Sequence, residues 1–107
     1  MSYTVVITDT AKQDLRDIVI WIAEQAKDIE AAKHFVNELR GKCKKLDEFP
    51  STGSFPRDRV LKSAGYRFVT HKEYLIFYLI DEENKTVNVM AIFNAKRDYM
   101  HVMRKFI

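Results

Sequence analysis

The sequence predicts an α+β fold, with a helical hairpin packed on a small, mainly antiparallel sheet and the element order β-α-α-β-β-β-α. Two observations support this fold. In the first half of the chain, apolar residues recur every three or four positions, which is typical of amphipathic helices. In the second half, apolar or alternating runs are separated by short polar turns, which is typical of an antiparallel meander. A chain of 107 residues has the length of one domain, which we expect to span residues 1–107.

The first half contains one strand and two helices. The run from Tyr3 to Thr8 is β-branched and aromatic and too short for a helix, so it predicts the first strand. We expect the first helix to begin at Thr10, because Thr10 and Gln13 have the spacing of a capping box. The second helix follows Asp28 and stops at Pro50, and its predicted buried positions are Ala32, Phe35, Val36, Leu39, Cys43, Leu46 and Phe49.

The second half begins with a loop and continues as three strands and a helix. Residues 50–63 hold both prolines and have loop composition. Residues 66–71 predict a strand with one solvated face, and residues 74–80, which are apolar throughout, predict a central strand covered on both sides. Residues 86–93 predict the last strand. Residues 95–107 predict a short helix with these residues at helical spacing: Tyr99, Val102, Met103 and Phe106.

Composition narrows the class of protein. With 47% hydrophobic and 31% charged residues, the chain is typical of a globular domain and not of a disordered segment. Cys43 is the single cysteine, so no internal disulfide can form, which favours a cytoplasmic location. No secretory signal or membrane-spanning run is visible, and the three histidines lack metal-site spacing. We expect no cofactor, no metal and no membrane partner, and we expect Trp21 to pack beside the core.

The net charge of +3 is unevenly distributed. Residues 1–49 are nearly neutral, residues 50–72 carry five basic groups and one acidic group, and residues 95–107 carry four and one. We expect the two basic segments to form one surface beside the exposed face of the meander, suited to an anionic partner. Because alternate strand residues share a face, Arg67 and His71 lie on one side of their strand, where we expect both to be solvated.

Five short motifs follow one another along nearly the whole chain: Thr8 to Ile22, Phe49-Pro50 with Gly53, Gly65 to Phe68, Tyr74 to Tyr78, and Lys96-Arg97-Asp98. In this order and spacing they resemble the RelE/ParE superfamily of bacterial type II toxins, also described as plasmid-stabilisation proteins. The resemblance implies a growth-inhibiting toxin that is neutralised by a cognate antitoxin. Members of that superfamily are described as acting by one of two mechanisms, RNA cleavage or inhibition of DNA gyrase.

RelE-like members are described as endoribonucleases that cut mRNA in the ribosomal A site, where the RNA 2′-hydroxyl attacks the adjacent phosphate. That chemistry needs a base and cations around the phosphate. If the protein is such an mRNA interferase, the resemblance and nearby polar groups imply these catalytic residues: Arg67, His71, Arg97 and Tyr99. The chain departs from the RelE-like pattern at Leu75, Val69 and Met103, which are apolar where charge or a terminal tyrosine is expected.

ParE-like members are the better match, since they share a long helical hairpin, an apolar central strand and an Arg-Asp pair after the last strand. They are described as inhibitors of DNA gyrase that act by binding a protein. The resemblance therefore favours a ParE-like gyrase inhibitor that is not an enzyme, with the mRNA endonuclease as the alternative. For target or antitoxin binding we single out the cations of the basic segments, namely Arg57, Arg59, Lys62, Arg67, Lys96, Arg97 and Arg104.

A third class, a non-catalytic nucleic-acid-binding domain, predicts strong, salt-dependent binding to bare DNA or RNA. The mild net charge and the lack of an arginine-rich recognition helix argue against it. The resemblance instead implies an antitoxin with an acidic, partly disordered segment that folds as it wraps the toxin in a hetero-oligomer. Residues 50–62 and the meander face suit such a segment.

Overall fold

The computed structural model describes residues 2–107 and confirms the α+β fold. The elements are β1 (Thr4–Ile7), α1 (Asp9–Ala26), α2 (Ile29–Lys44), α3 (Arg59–Ser63), β2 (Arg67–His71), β3 (Tyr74–Asp81), β4 (Thr86–Asn94) and α4 (Tyr99–Met103). Short 3₁₀ turns cover Lys45–Asp47, Pro50–Thr52 and Arg104–Phe106. Helix α3 is an addition to the predicted order, since it lies in the segment predicted to be a loop. Each helix within residues 2–107 is too short or too polar to span a lipid bilayer.

The four strands form one mixed sheet in the order β1-β4-β3-β2. β1 runs parallel to β4, and the other neighbours are antiparallel. The pairing of β1 with β4 ends where Ile7 lies opposite Val89. Residues 90–94 of β4 therefore extend beyond the end of β1, and no strand within residues 2–107 lies beside them on that side.

Helices α1 and α2 cover one side of the sheet, which we call the hairpin face. Their caps are Thr8 and Asp28, whose side chains accept hydrogen bonds from the amides of Ala11 and Ala31. The predicted start at Thr10 with a Gln13 capping box is wrong, because Thr8 is the cap and the Gln13 side chain bonds to Arg16 and Asp17. The core of this face includes Leu15, Leu39, Cys43, Ile76, Tyr78, Val87 and Val89.

Helices α3 and α4 and the last 3₁₀ turn cover the opposite side, which we call the second face. Its buried residues are Leu61, Tyr66, Phe77, Ala91, Phe93 and Met103. The predicted exposed face of the meander is therefore wrong, because apolar side chains of the sheet are covered on both sides.

Two predicted core positions lie at the surface. Helix α2 ends at Lys44 and gives way to a 3₁₀ turn, so Phe49 falls outside the helical face and is 65% exposed. Trp21 is 56% exposed, although we expected it to pack beside the core. Cys43 is buried as expected for a free thiol, and burial raises its pKa to about 12.

Candidate functional site

Two basic segments meet on the second face. The hydroxyl of Tyr99 on α4 accepts a hydrogen bond from the Asp58 amide just before α3, at 3.2 Å. Leu61 of α3 and Met103 of α4 belong to the same buried cluster. Five of the exposed cations on these segments form what we call the basic face, namely Arg57, Arg59, Lys62, Arg104 and Lys105. The structure thus brings residues from the two charged segments of the sequence together, as the sequence predicts.

Phe55 joins a strand cation to this surface. The ring is 46% exposed, and the Arg67 guanidinium lies 4.2 Å from its centroid. The Lys62 ammonium lies 5.6 Å from the same centroid, so one aromatic ring contacts cations from both α3 and β2. Arg67 also donates hydrogen bonds to the Ser51 and Gly53 carbonyls. Arg67 is therefore held in place against the loop and is not the solvated residue that we expected.

The loop under Phe55 is fixed to the centre of the sheet by Tyr78. The Tyr78 hydroxyl donates to the Pro50 carbonyl at 2.6 Å and accepts from the Gly53 amide at 2.9 Å. Burial raises the pKa of this hydroxyl, so it stays protonated and can donate. A Cβ at Gly53 would lie 2.5 Å from the Tyr78 hydroxyl and 2.8 Å from the Phe68 carbonyl oxygen, so no larger residue fits without a shift.

The four residues singled out for RNA cleavage do not converge. His71 lies on the hairpin side, where its Nε2 is 3.0 Å from Glu38 Oε1, and Arg67 lies against Phe55. Tyr99, the first residue of α4, lies on the second face, with its hydroxyl bound to the Asp58 amide. Arg97 lies after β4, at the cleft described below. His71 is therefore not the solvated group that we expected, because Glu38 and the ring of Phe35 contact it.

The second face of the meander is aromatic where a ribonuclease needs cations. Phe77 of β3 stacks on Phe93 of β4 with centroids 5.5 Å apart and on Tyr99 with centroids 5.9 Å apart. Phe68 and the half-buried Leu75 pack against the same cluster. The sheet surface on this face is thus apolar. The positive charge lies on and next to the short helices that cover it.

A cleft of about 460 Å³ opens between α1 and the free end of β4. Its apolar lining is Ile18, Trp21, Tyr74, Ile92 and Phe93. Its charged lining is Asp14, Asp17, Glu73, Lys96 and Arg97. Asp14 Oδ2 accepts a hydrogen bond from the Ile92 amide at 2.9 Å. Burial raises the pKa of Asp14, an effect opposed by the nearby cations Lys105 and Arg97. Lys96 and Arg97, two of the residues that the sequence singles out for target or antitoxin binding, thus line this cleft.

Sequence reasoning did not find this cleft. It places Trp21 beside the core stripe and gives no role to Asp14 or Glu73. The signal that was available is the spacing of Asp14, Asp17 and Trp21, since positions three and four apart on a helix share one face. The position of that face beside the open end of β4 depends on the tertiary structure.

The chain matches one described family. Residues 5–99 match the family described as the ParE toxin of the type II toxin–antitoxin system parDE. None of the curated protein sequences compared with this chain matches it.

Solved structures of toxin–antitoxin proteins share the fold. A chain of the chromosomal ParDE system of P. aeruginosa is 18% identical in sequence and has a TM-score of 0.72. The matched region covers 87% of this chain and 96% of the P. aeruginosa chain. The RelBE2 toxin–antitoxin complex of Mycobacterium tuberculosis is 22% identical, with 88% and 99% covered and a TM-score of 0.66. A free mutant form of the E. coli toxin RelE is 12% identical, with 100% of each chain covered and a TM-score of 0.67. The same fold therefore occurs in proteins named ParDE and in proteins named RelBE or RelE.

Proposed function

The chain belongs to the ParE toxin family, and from that premise we propose that it arrests growth by binding DNA gyrase rather than by cutting RNA. Membership makes the protein the toxin component of a type II toxin–antitoxin system. Gyrase as the target of the toxin is our proposal. We place the protein in the cytoplasm, where gyrase acts, and it needs no cofactor for this function.

The second face is the observation that carries the proposal. Cleavage of RNA requires several polar groups around one phosphate, with donors about 3 Å from the charge that develops on it. Here the sheet side chains that pack into the cluster on that face are all apolar, namely Phe68, Leu75, Phe77, Leu79, Met90, Ala91 and Phe93. Inhibition by binding has no such requirement, because it needs only a stable surface of complementary shape and charge.

The basic face supports a protein partner of opposite charge. Arg59 and Lys62 are exposed on a short helix that rests on a buried core through Leu61. Phe55, between Lys62 and Arg67, adds an exposed aromatic ring of the kind that is enriched at interfaces. We propose that this surface binds the target. We also propose that the acidic segment of a cognate antitoxin covers the same surface and so forms an inactive hetero-oligomer.

Two parallel assays with the purified toxin test the target. The toxin is added to gyrase supercoiling reactions and to a translating extract whose mRNAs are mapped by primer extension. We expect inhibited supercoiling and intact mRNA. Ribosome-dependent mRNA cuts with normal supercoiling would contradict the proposal and favour the endonuclease alternative.

The basic face has a matched control within the chain. We expect Arg59→Gln with Lys62→Gln to weaken gyrase inhibition about 10-fold or more, because the charges lie at the proposed interface. Lys12→Gln with Lys33→Gln removes the same charge from exposed positions of the hairpin and leaves inhibition unchanged. Equal losses in the two double variants would show that net charge alone, and not the basic face, determines inhibition.

A further inference from the structure

The guanidinium of Arg67 keeps one edge free beside the ring of Phe55. We propose that this edge binds a carboxylate, which is an aspartate or glutamate side chain of the partner protein that covers the basic face. The partner itself comes from the proposed function, on which this site therefore rests. Arg67 is outside the group of cations that define the basic face, so the site adds one specific contact to that surface.

The Arg67 side chain is fixed by the loop beside it. Its Nη1 donates to the Ser51 carbonyl at 3.3 Å and to the Gly53 carbonyl at 3.2 Å. Its Cζ lies 4.2 Å from the centroid of the Phe55 ring. The two carbonyls belong to the loop that the Tyr78 hydroxyl binds to the sheet. Arg67 is thus held in place without a partner, which reduces the conformational entropy lost when a partner binds.

Nε and Nη2 are the donors of Arg67 that remain for a ligand. Nη1 is bound to the two loop carbonyls, whereas Nε and Nη2 have no acceptor among residues 2–107. Their N–H bonds lie side by side along one edge of the planar group, where they can donate to both oxygens of one carboxylate. The Arg67 side chain is half-buried, so water screens such an ion pair less than it screens a fully exposed one.

A second cation lies beside the same ring. The Lys62 ammonium is 5.6 Å from the Phe55 centroid. Neither Lys62 nor Arg67 forms a salt bridge with a carboxylate of the part of the chain that the structure describes. The two positive charges therefore add at the ring, and they favour an anionic ligand next to it.

The acidic residues that contact α3 and β2 through their side chains are already bound. Asp58 is the single acidic residue of residues 50–72, and its carboxylate caps α3. Glu38 contacts β2 farther along the strand, where His71 and Lys72 bind its Oε1. No opposing charge of these elements thus fills the free edge of Arg67, which leaves that edge to a carboxylate of another molecule.

NMR can observe the proposed contact in the unchanged protein. The Nε–H signals of the arginines are recorded on the full chain during titration with a blocked nonapeptide of serine and glycine that has glutamate-leucine-glutamate at its centre. We expect the Arg67 signal to shift, with a dissociation constant of about 1 mM, and the Arg40 signal to stay in place. The same peptide with glutamine-leucine-glutamine at its centre should bind at least about 10-fold more weakly.

A phosphodiester is the competing ligand, because a guanidinium edge can bind either group. The third probe is therefore a dinucleotide of two uridines joined by one phosphate. We expect it to bind Arg67 more weakly than the glutamate peptide, since the apolar sheet surface of the second face offers its bases no polar partners. Tighter binding of the dinucleotide at Arg67 would overturn the proposal in favour of a nucleic-acid ligand.

Variants test the planar edge and the ring that supports it. Arg67→Lys keeps the charge but removes the edge, and we expect it to weaken binding of the glutamate peptide at least about 10-fold. Arg40→Lys makes the same exchange at an exposed position of α2 and leaves the affinity unchanged. Phe55→Leu keeps every charge and should weaken binding by about 3-fold or more, because the guanidinium loses its support. The backbone amide signal of Phe68 reports binding in all three variants, and the rest of the amide spectrum shows that each is folded.

Gyrase supercoiling with the same variants separates the site from the proposed function. We expect Arg67→Lys to inhibit gyrase at least about 10-fold less than the wild type, and Arg40→Lys to inhibit it equally. A wild-type toxin that binds the glutamate peptide at Arg67 but leaves gyrase active would contradict the target and support the site. Equal inhibition by the wild type and Arg67→Lys would overturn the site and leave the target in place. Equal binding of the glutamate and glutamine peptides, or no shift of the Arg67 signal at about 20 mM peptide, would also overturn the site.

Discussion

The two faces of the sheet are built from elements of very different length. The hairpin face is covered by helices of 18 and 16 residues, whose buried side chains share one core with the sheet. The second face is covered by two helices of five residues each. Isolated helices that short are unstable, so α3 and α4 depend on the sheet for their structure. The comparison indicates that the hairpin face supplies most of the stability, and that the second face presents charge to partners.

The largest expected effect is on the hairpin face. Leu39 is fully buried in the middle of α2, and Leu39→Ala should lower the free energy of unfolding by about 4 kcal/mol, from lost burial and the cavity left behind. Urea denaturation followed by circular dichroism measures the change. Val60→Ala on α3 is the surface control, since Val60 is 56% exposed and should change stability by less than about 0.5 kcal/mol.

The equivalent truncation on the second face should cost less. Met103, the last residue of α4, is fully buried. We nevertheless expect Met103→Ala to lower stability by only about 2 kcal/mol, the low end for such a change, because a five-residue helix can detach locally. Hydrogen exchange should become faster in α4 and stay slow in α2. A loss as large as that of Leu39→Ala, with uniform exchange, would show that the two faces unfold as one unit.

A smaller effect is expected where the sheet holds the loop under Phe55. Tyr78→Phe removes the hydroxyl that binds the Pro50 carbonyl and the Gly53 amide, and it should lower stability by about 1–2 kcal/mol. Tyr3→Phe is the control, because its hydroxyl binds Glu82 at an exposed position and should matter by less than about 0.5 kcal/mol. Equal losses for the two tyrosines would contradict the buried role of Tyr78.

The smallest effect concerns pH at the outer edge of the hairpin face. The hydrogen bond from His71 lowers the pKa of Glu38 below its ordinary value of 4.5, and Lys72 acts in the same direction. The stabilisation is therefore complete above pH 4.5 and is lost as the pH falls through the lowered folded value. Because both side chains remain partly exposed to solvent, the change is small. The unfolding temperature is measured between about pH 6 and about pH 3 for the wild type and for Glu38→Gln. The wild type should lose slightly more stability over this range than the variant does. Identical pH profiles for the two proteins would show that the pair contributes nothing.

The order of elements could be predicted from sequence because each depends on local pattern. Apolar residues at helical spacing define α1 and α2, and the unbroken apolar run defines β3. Helix α3 was missed because its five residues lie between prolines and a glycine and are held by the Asp58 cap and by burial of Leu61. A helix that short has too few residues to show a period.

The candidate site was predictable in part. The charge of the two basic segments is visible in the sequence, and their meeting on one face follows from the topology. Strand alternation predicts that Arg67 and His71 lie on the same side of β2. It does not predict their contacts with Phe55 and Glu38, because those residues are distant in sequence. The prediction that Trp21 packs beside the core was wrong for the same reason. The cleft that Trp21 lines forms where β4 extends beyond the end of β1, which depends on the tertiary structure.

Induction of the toxin alone in bacteria distinguishes inhibition of gyrase from cleavage of mRNA inside the cell. A DNA-damage reporter and primer extension of abundant mRNAs are followed together during growth arrest, with the wild-type chain and the variant that combines Arg59→Gln with Lys62→Gln. We expect arrest with an active reporter and intact mRNA for the wild type, and weakened arrest for the variant. Arrest with cut mRNA and a silent reporter would contradict it.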